Sequence, residues 1–275
     1  MNFAVLYSKK DEAGINIAKA LKNHFLPQMT ILEMNKDSIF EENIDKDERI
    51  KNAEFIIFAT KHASKAEVPS LSLHAPGNWR TADFGGKVGK ICPTSSLALK
   101  FLFQKLNENA KQMMPELEHN ITLEVTHHGP LINKPCCFIE IGSKAEHWNN
   151  PKLGDILAKT ITDFQNFPKW KEQAKKEKMK TAIALGGPHY CPNFNKIQLS
   201  QTNNIAISHI IPEHALPLSE NLLKESIEKT IENLDLVIVD WKGCGKSEQR
   251  QAVINLLEKS SIPYERSERV HKQNP

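Results

Sequence analysis

Short apolar runs and longer amphipathic stretches alternate along most of the chain. The apolar runs are rich in Ile, Val and Phe, which is typical of strands that are buried on both faces of a sheet. They predict strands over Phe3–Tyr7, Met29–Met34, Glu54–Ala59, Ile121–Thr126, Cys136–Ile141, Thr181–Leu185, Ile205–Ile211 and Leu234–Asp240. The amphipathic stretches predict helices over Asp11–Phe25, Pro93–Ala110, Pro151–Phe167, Glu220–Asn233 and Glu248–Lys259.

This alternation predicts an α/β fold, with a mostly parallel sheet and helices on both of its faces. Ser219 and Ser247 lie where N-caps are expected, since each precedes a glutamate in the first turn of a predicted helix. The sequence has no internal repeat and no clear linker, so we expect a single domain over residues 1–275. The stretch Thr60–Cys92 lacks periodicity, and we expect a long functional loop there.

The composition is that of an ordinary globular protein, with 275 residues of which 40% are hydrophobic and 25% charged. The five cysteines include no Cys-x-x-Cys pair, which favours buried, reduced thiols. No apolar run approaches the roughly 18 residues that a membrane helix needs. The N-terminal strand runs straight into charged residues without a cleavage site. We therefore expect a cytoplasmic protein that does not enter a membrane.

The net charge of +3 gives only a weak overall field, but one segment is locally basic. Six lysines lie between residues 169 and 180, offset by Glu172 and Glu177. Two interpretations stay open for this lysine run. It is either a solvated helix face or a patch that contacts phosphates, and in the second case binding should depend on salt.

Polar side chains gather at or near the carboxyl ends of the predicted strands, where α/β enzymes build their active sites. Neutral imidazoles suit general acid–base chemistry near neutral pH and also suit zinc. The backbone N–H groups of Gly186 and Gly187 could bind an oxyanion or a phosphate, although two glycines also form a plain turn. The candidate side chains are His62, Glu124, His127, His128, Glu140, Ser143, His189, His209, Asp240 and Lys242.

Several common catalytic motifs are missing from the sequence. There is no Gly-x-Ser-x-Gly elbow, no phosphate loop and no Gly-x-Gly-x-x-Gly fingerprint. There is also no His-Glu-x-x-His helix, so metal ligands would have to come together from separate strand ends. The residues alone leave metal-free catalysis and zinc catalysis both open.

A series of motifs in the right order resembles the D-aminoacyl-tRNA deacylase family of the archaeal and plant type. The resemblance spans nearly the whole chain, and the two motifs around residues 124–130 and 186–190 are specific in combination. The motifs are Lys61-His62-Ala63-Ser64, Leu73-His74-Ala75-Pro76-Gly77-Asn78, Glu124-Val125-Thr126-His127-His128-Gly129-Pro130, Glu140-Ile141-Gly142-Ser143, Gly186-Gly187-Pro188-His189-Tyr190, His209-Ile210-Ile211-Pro212 and Asp240-Trp241-Lys242-Gly243.

The resemblance implies hydrolysis of the ester that joins a D-amino acid to the terminal ribose of tRNA. It further implies zinc as cofactor, a monomer, and a fold similar to nucleoside phosphorylases and peptidyl-tRNA hydrolase. On this basis, the expected catalytic residues are His127, His128, His189, Glu124 and Glu140. The expected substrate-binding residues are His62, Asn78, Gly186, Gly187 and Lys242. The expected zinc ligands are His74, His127 and His209.

We expect a cleft histidine, alone or with zinc, to activate water. Glu124 or Glu140 would orient an imidazole, and the Gly187 N–H or Lys242 would stabilise the oxyanion. Two rival functions stay open beside this one. A zinc-dependent amidohydrolase or nucleosidase would act on a small molecule with little dependence on salt. A non-enzymatic RNA-binding module is disfavoured because few aromatic residues are left to stack on bases.

Overall fold

The computed structural model describes residues 1–24 and 26–272, and within them the chain forms twelve strands and nine α-helices. The strands are β1 (Phe3–Ser8), β2 (Met29–Met34), β3 (Phe55–Ala63), β4 (Ser70–His74), β5 (Gly77–Asn78), β6 (Lys90–Ile91), β7 (Ile121–Leu123), β8 (Cys136–Ser143), β9 (Lys180–Leu185), β10 (Ile205–Ile211), β11 (Leu236–Val239) and β12 (Tyr264–Arg266). The helices are α1 (Glu12–Leu21), α2 (Ser96–Met113), α3 (Ala145–Trp148), α4 (Pro151–Asp163), α5 (Phe167–Lys176), α6 (Pro192–Leu199), α7 (Glu220–Glu228), α8 (Ser247–Lys259) and α9 (Ser267–Lys272).

The larger sheet has six strands in the order β2-β1-β3-β8-β4-β7. It is parallel apart from the β4–β8 pair, so β8 lies between a parallel neighbour, β3, and an antiparallel one, β4. Alternate residues of β8 face opposite sides of this sheet. Cys137, Ile139 and Ile141 join the core that α1, α2 and α4 cover. Phe138 joins a smaller core on the other side, which is packed by short 3₁₀ turns between residues 38 and 50. The site forms on this second side.

The smaller sheet has four parallel strands in the order β10-β9-β11-β12. Helix α2 contacts β9 and β10 of this sheet as well as β4 and β7 of the larger one, so it lies between the two sheets. Buried residues of both sheets and of α2 form one continuous apolar cluster. One domain over residues 1–275 stays a prediction, and residues 25 and 273–275 lie outside the described part. The described strands form three sheets where the sequence predicted one, because β5 and β6 pair as a separate two-stranded antiparallel sheet.

The predicted α/β fold with a mostly parallel sheet and helices is confirmed, and all eight predicted strands are present. Three short strands, β4, β5 and β6, lie in the segment that the sequence predicted to be a loop. The sequence did not predict them, because β5 and β6 have two residues each and β4 lacks a run of Ile, Val or Phe. Ser219 caps α7 by accepting from the Leu222 N–H, but the N-cap of α8 is Lys246 and not Ser247. Helix α1 ends at Leu21, and its predicted end at Phe25 lies outside the described residues.

The five cysteines are free and buried, as the sequence predicted. Burial raises the pKa of each thiol for which a shift is resolved, which keeps these groups protonated and inert. Among the described residues, no helix is long and apolar enough to cross a membrane.

Candidate active site

Residues 124–126 connect the two sheets and carry the centre of the site. The Val125 N–H donates to the His189 carbonyl (3.1 Å), and the Thr126 N–H donates to the Ile210 carbonyl (2.9 Å). These bonds bring the loop that follows β9 against the segment that follows β7. The ionisable side chains that meet there come from five places along the chain, namely His62, His74, Glu124 with His127 and His128, Glu140, and His189.

Glu140 lies in the middle of β8, directly opposite Thr60 of β3 and Ser72 of β4. Its buried carboxylate accepts a hydrogen bond from the Ser72 hydroxyl (3.3 Å). The same oxygen, Oε2, lies 3.4 Å from Nδ1 of His62 and 3.8 Å from Nε2 of His74. This carboxylate is buried but borders the cleft, and it is stabilised by the two imidazoles.

Glu124 follows β7 directly, and its side chain is completely buried. Nitrogens of three histidines surround the carboxylate, at 3.3 Å for His62, 3.5 Å for His127 and 3.0 Å for His189. Neither carboxylate oxygen makes a hydrogen bond within the described residues. A buried carboxylate without such bonds is costly, so the surrounding imidazoles or a bound cation must stabilise it.

The main chain orients three of the imidazoles in the cluster, those of His74, His127 and His128. In each, Nδ1 lies beside a carbonyl oxygen, which can only accept, so Nδ1 carries a proton and Nε2 is the nitrogen left for other partners. Burial lowers the pKa of His74, but the contact with Glu140 and the charges of Glu140 and Glu124 outweigh it and raise this pKa. The ring centroids lie 4.2–4.8 Å from one another. The three contacts are His74 to Ala75 (3.1 Å), His127 to Val125 (2.9 Å) and His128 to Gly129 (2.7 Å). This orientation by a second hydrogen bond is typical of histidines that bind metals.

The charges of the site divide into two groups. Burial lowers the pKa of His62, but the hydrogen bond to Glu140 and the charges of Glu124 and Glu140 outweigh it and raise this pKa to about 9. Burial raises the pKa of Glu140, but the neighbouring imidazoles hold it well below its ordinary value. Burial and the adjacent imidazoles lower the pKa of His127, and they lower that of His128 to about 4. His62 is therefore a cation beside carboxylates, whereas His127 and His128 are neutral.

A cleft of about 580 Å³ opens over this cluster. His62, His127 and Glu140 line its floor, while Lys61 and Arg80 contribute positive charge to its walls. The cleft is large enough for a nucleoside, and its walls can neutralise a phosphate. The cluster therefore lies where a substrate can reach it.

Three sets of residues could hold a metal ion, in each of which the ligand atoms lie within 4.8 Å of one another. Two sets share no residue, so the cluster could hold more than one cation. The sets are His74 with His127 and His128, His62 with Glu124 and His189, and His74 with Glu124 and Glu140.

Comparison with known proteins identifies this arrangement. A sequence model of the D-aminoacyl-tRNA deacylases matches residues 49–265, which include all of the residues above. The chain belongs to the D-aminoacyl-tRNA deacylase family. The family that the motifs predicted is therefore confirmed, and so is the predicted class, a hydrolase that acts on aminoacyl-tRNA esters.

Individual relatives match the deacylase chain over nearly its full length. The D-aminoacyl-tRNA deacylase of Thermococcus onnurineus (strain NA1) is 36% identical over 282 residues, covering 94% of this chain and 98% of the relative. That of Methanococcus vannielii is 33% identical and covers 97% of this chain and 100% of the relative. A crystal structure of AF0625, a conserved protein of unknown function, superposes with a TM-score of 0.84 at 27% identity, covering 98% of this chain and 97% of that one.

His209, a predicted zinc ligand of this deacylase, lies apart from the three sets of the described residues. Its ring is completely buried on β10. Nδ1 lies 3.3 Å from the Thr126 hydroxyl and Nε2 lies 3.3 Å from the Lys229 carbonyl, so both nitrogens have protein partners. Burial lowers its pKa to about 4. The structure therefore gives His209 a place in the packing between the sheets and does not bring it to the cluster.

The two glycines of the predicted oxyanion site already use their N–H groups. Gly186 donates to the Ile211 carbonyl (2.8 Å) and Gly187 donates to the Gly243 carbonyl (2.9 Å). Both have positive φ, at 97° and 89°, which only glycine adopts without strain. A Cβ at Gly186 would come within 2.8 Å of the Cys244 sulfur. These glycines allow the loops after β9 and β11 to pack closely, and their N–H groups are not available to an oxyanion.

Asn78 and Lys242 occupy the surroundings of the site. The buried Asn78 amide lines the cleft and donates to the Gly85 carbonyl (2.8 Å), which fixes the loop between β5 and β6. Lys242 is exposed in the turn that follows β11 and is not part of the cleft lining. Asn78 thus shapes the cleft, whereas Lys242 can meet only parts of a substrate that extend beyond it.

Tyr190 is a site residue to which the sequence analysis gave no role. Its hydroxyl lies 3.0 Å from Nε2 of His62, and residue 190 pairs with Glu124 in an isolated antiparallel bridge. The only signal in the sequence was its position directly after His189. Its partner is 128 residues away in the chain, so only the folded structure brings the two side chains together.

Proposed function

We propose that this chain hydrolyses the ester of D-aminoacyl-tRNA, with catalysis in the cluster around Glu124 and Glu140. The observation that supports the proposal most strongly is the pair of buried carboxylates surrounded by oriented imidazoles at the floor of an open cleft. An aminoacyl ester is already activated, so a positioned base and stabilised charge are sufficient to open it. General-base assistance typically contributes about 10²–10⁴-fold.

We propose zinc as the cofactor, because the donor set fits it. The Nε2 of His74 is buried and has no hydrogen-bond partner among the described residues. Imidazole nitrogens and carboxylates are the ligands that zinc prefers after thiolates. His74, His127 and His128 would hold the ion, since each has Nδ1 fixed on a carbonyl and Nε2 free. When bound, zinc supplies Lewis-acid chemistry and lowers the pKa of water at the site.

In this proposal, His189 acts as the general base that removes a proton from the attacking water. Its side chain is 41% exposed and its Nε2 lies 3.0 Å from Glu124, so a carboxylate orients a solvent-accessible imidazole. With Nε2 directed at the carboxylate, Nδ1 is left to accept the proton. Both nitrogens of His62 have protein partners, so this imidazole acts through its charge: held as a cation by Glu124 and Glu140, it makes the potential around the developing oxyanion more favourable without a direct hydrogen bond.

The proposed substrate supports the predicted location of the enzyme in the cytoplasm. Aminoacyl-tRNA is made and used in the cytoplasm, so we propose that the chain acts there, and as a monomer. Mass measurement in solution, at enzyme concentrations used for turnover, tests the second point.

The decisive experiment compares release of labelled tyrosine from D-Tyr-tRNA and L-Tyr-tRNA by the purified chain. We expect loss of the D-ester only, and loss of that activity after chelation with recovery on adding zinc. Elemental analysis before and after chelation measures the metal independently of turnover. Equal hydrolysis of both esters would indicate an unselective esterase, and no hydrolysis of either would favour an amidohydrolase or nucleosidase. Full activity in metal-free protein would contradict the zinc proposal alone.

A further inference from the structure

A second cavity, of about 460 Å³, adjoins the catalytic cluster at His189 and shares no lining residue with the cleft. His189 and Tyr190 line it, together with the segment between β3 and β4 and the start of α6. The contact between the Tyr190 hydroxyl and His62 (3.0 Å) separates it from the cleft. An ester bound at the cluster therefore lies beside two separate cavities.

The two cavities differ in their chemistry. Lys61, Arg80, Asp83 and Glu140 line the cleft, but no Lys, Arg, Asp or Glu lines the second cavity among the described residues. The second cavity carries two exposed apolar side chains, Val68 at 51% and Tyr190 at 37%, and the cleft carries Phe84 at 65%, so the two cavities differ in charge and not in apolar exposure. Exposed apolar side chains that line a concave surface are typical of ligand sites.

The two parts of an aminoacyl ester differ in the same way. The alcohol side is a nucleotide, which carries a phosphate and needs cations, and the acyl side is one amino acid. We propose that the second cavity binds the side chain of the D-amino acid and that Val68 sets its size limit. This inference rests on the proposed function, because it needs an aminoacyl ester at the cluster.

The position of Val68 makes it a specificity residue that is separate from the machinery of hydrolysis. It lies in the segment between β3 and β4, outside the cluster of carboxylates and imidazoles. Its carbonyl accepts from the Ser143 hydroxyl (2.7 Å), a main-chain contact that any side chain at position 68 preserves. A larger residue at position 68 should fill the cavity without disturbing the fold or the proposed general base, His189.

The test compares kcat/KM on D-Tyr-tRNA and D-Ala-tRNA for the intact enzyme and two variants. In Val68→Trp, we expect a decrease of about tenfold or more on the D-Tyr ester and less than about threefold on the D-Ala ester. In Val68→Ala, lost apolar contact should raise KM for the D-Tyr ester by about threefold, leaving kcat and the D-Ala ester unchanged. The matched control is Val88→Trp, at a residue with a similar exposure of 56% that lines neither cavity, and it should behave as wild type.

Each outcome decides the point. An equal decrease on both esters in Val68→Trp, or no decrease on either, would overturn the assignment of the cavity to the side chain. A wild-type enzyme that hydrolyses neither D-ester would overturn the proposed function itself. A wild-type enzyme that hydrolyses both, with variants that do not depend on side-chain size, would overturn only the inference about Val68.

Discussion

Polar residues that suggest an active site in the sequence follow strands of both the six-stranded and the four-stranded sheet. The residues of the two sheets differ in how far their polar groups are already bonded within the protein. Around the six-stranded sheet, His74 has a free and buried Nε2, and Glu124 has two oxygens without hydrogen bonds. In the four-stranded sheet, both nitrogens of His209 have protein partners, and the N–H of Gly187 is bonded to Gly243. The groups around the six-stranded sheet are left without partners and need a ligand, whereas His209 and Gly187 have partners within the protein, and the loop that follows β9 brings His189 to the site.

This difference shows that burial alone does not identify a functional histidine. His74 and His209 have side chains that are almost completely buried. They are distinguished by whether their second nitrogen has a partner, which decides whether a metal or substrate can use it. Unsatisfied buried groups are expensive for folding, so their concentration around the six-stranded sheet indicates where function has been favoured over stability.

The largest effect should follow from removing the charge at the centre of the site. In Glu124→Gln, three imidazoles lose the carboxylate that orients them, and we expect kcat/KM on D-Tyr-tRNA to fall by about 10²–10⁴-fold. The matched control is Glu146→Gln, which removes a surface carboxylate 3.3 Å from His147 and should leave turnover unchanged. Wild-type turnover in Glu124→Gln would place the chemistry elsewhere.

A smaller loss is expected when one imidazole of the site is removed. His127→Ala should decrease turnover by at least tenfold with an unchanged circular dichroism spectrum, because the ring lies at the cleft surface and not in the core. The control variant is His24→Ala, because His24 lines neither cavity, and it should have the turnover of the wild type. If His127→Ala retained full turnover, this ring would have no part in the reaction.

The paired variants His74→Leu and His209→Leu test the comparison itself. His74→Leu should weaken metal binding and lower turnover by about tenfold without lowering the stability of the metal-free protein, because Nε2 of His74 has no hydrogen-bond partner to lose among the described residues. His209→Leu leaves the Lys229 carbonyl and the Thr126 hydroxyl without their imidazole, which should lower the free energy of unfolding by about 1–3 kcal/mol. Denaturant unfolding and turnover of the folded fraction measure both effects. Loss of activity without loss of stability in His209→Leu would return this residue to the site.

The same variant makes a prediction about pH. The pKa of His209 is lowered to about 4 by burial, whereas in the unfolded chain it has its ordinary value near 6.5. Between these values the unfolded state binds more protons, so this residue lowers the stability of the fold as the pH falls from about 6.5 to 4. We expect the stability difference between wild type and His209→Leu to shrink over that range. A difference that grows as the pH falls would contradict the buried, neutral state.

The smallest effect concerns the lysine run, which lies on α5 and on the segment leading into the amino end of β9. The site lies beyond the carboxyl end of the same strand, so these lysines are about one strand length or more away from the ester. Replacing Lys171, Lys175 and Lys176 by Ala should change KM for tRNA by less than about twofold and leave its salt dependence intact. A tenfold increase in KM would establish the phosphate-contacting patch that the sequence left open.

The sequence by itself determined the elements and the chemistry. Apolar runs such as Ile205–Ile211 are long enough and uniform enough to identify buried strands, and the fixed spacing of Glu124, His127 and His128 identified the family. The strand Ser70–His74 escaped prediction because it alternates serine with leucine between Pro69 and Pro76 and has no run of Ile, Val or Phe, and it carries one of the proposed metal ligands. The sequence thus placed most of the polar residues of the site at strand ends without showing which strands lie beside one another.

Only the tertiary structure decided how those strand ends are used. Hydrogen bonds from residues 125 and 126 join the two sheets, and they connect residues more than 60 positions apart in the chain. Whether His209 or Gly187 is available to a ligand depends on such partners, because a nitrogen that is bonded within the protein cannot also bind a metal or an oxyanion. The second cavity depends in the same way on the contact between His62 and Tyr190, 128 residues apart. The local sequence determines which polar groups a residue offers, and long-range packing determines whether those groups stay available to a ligand.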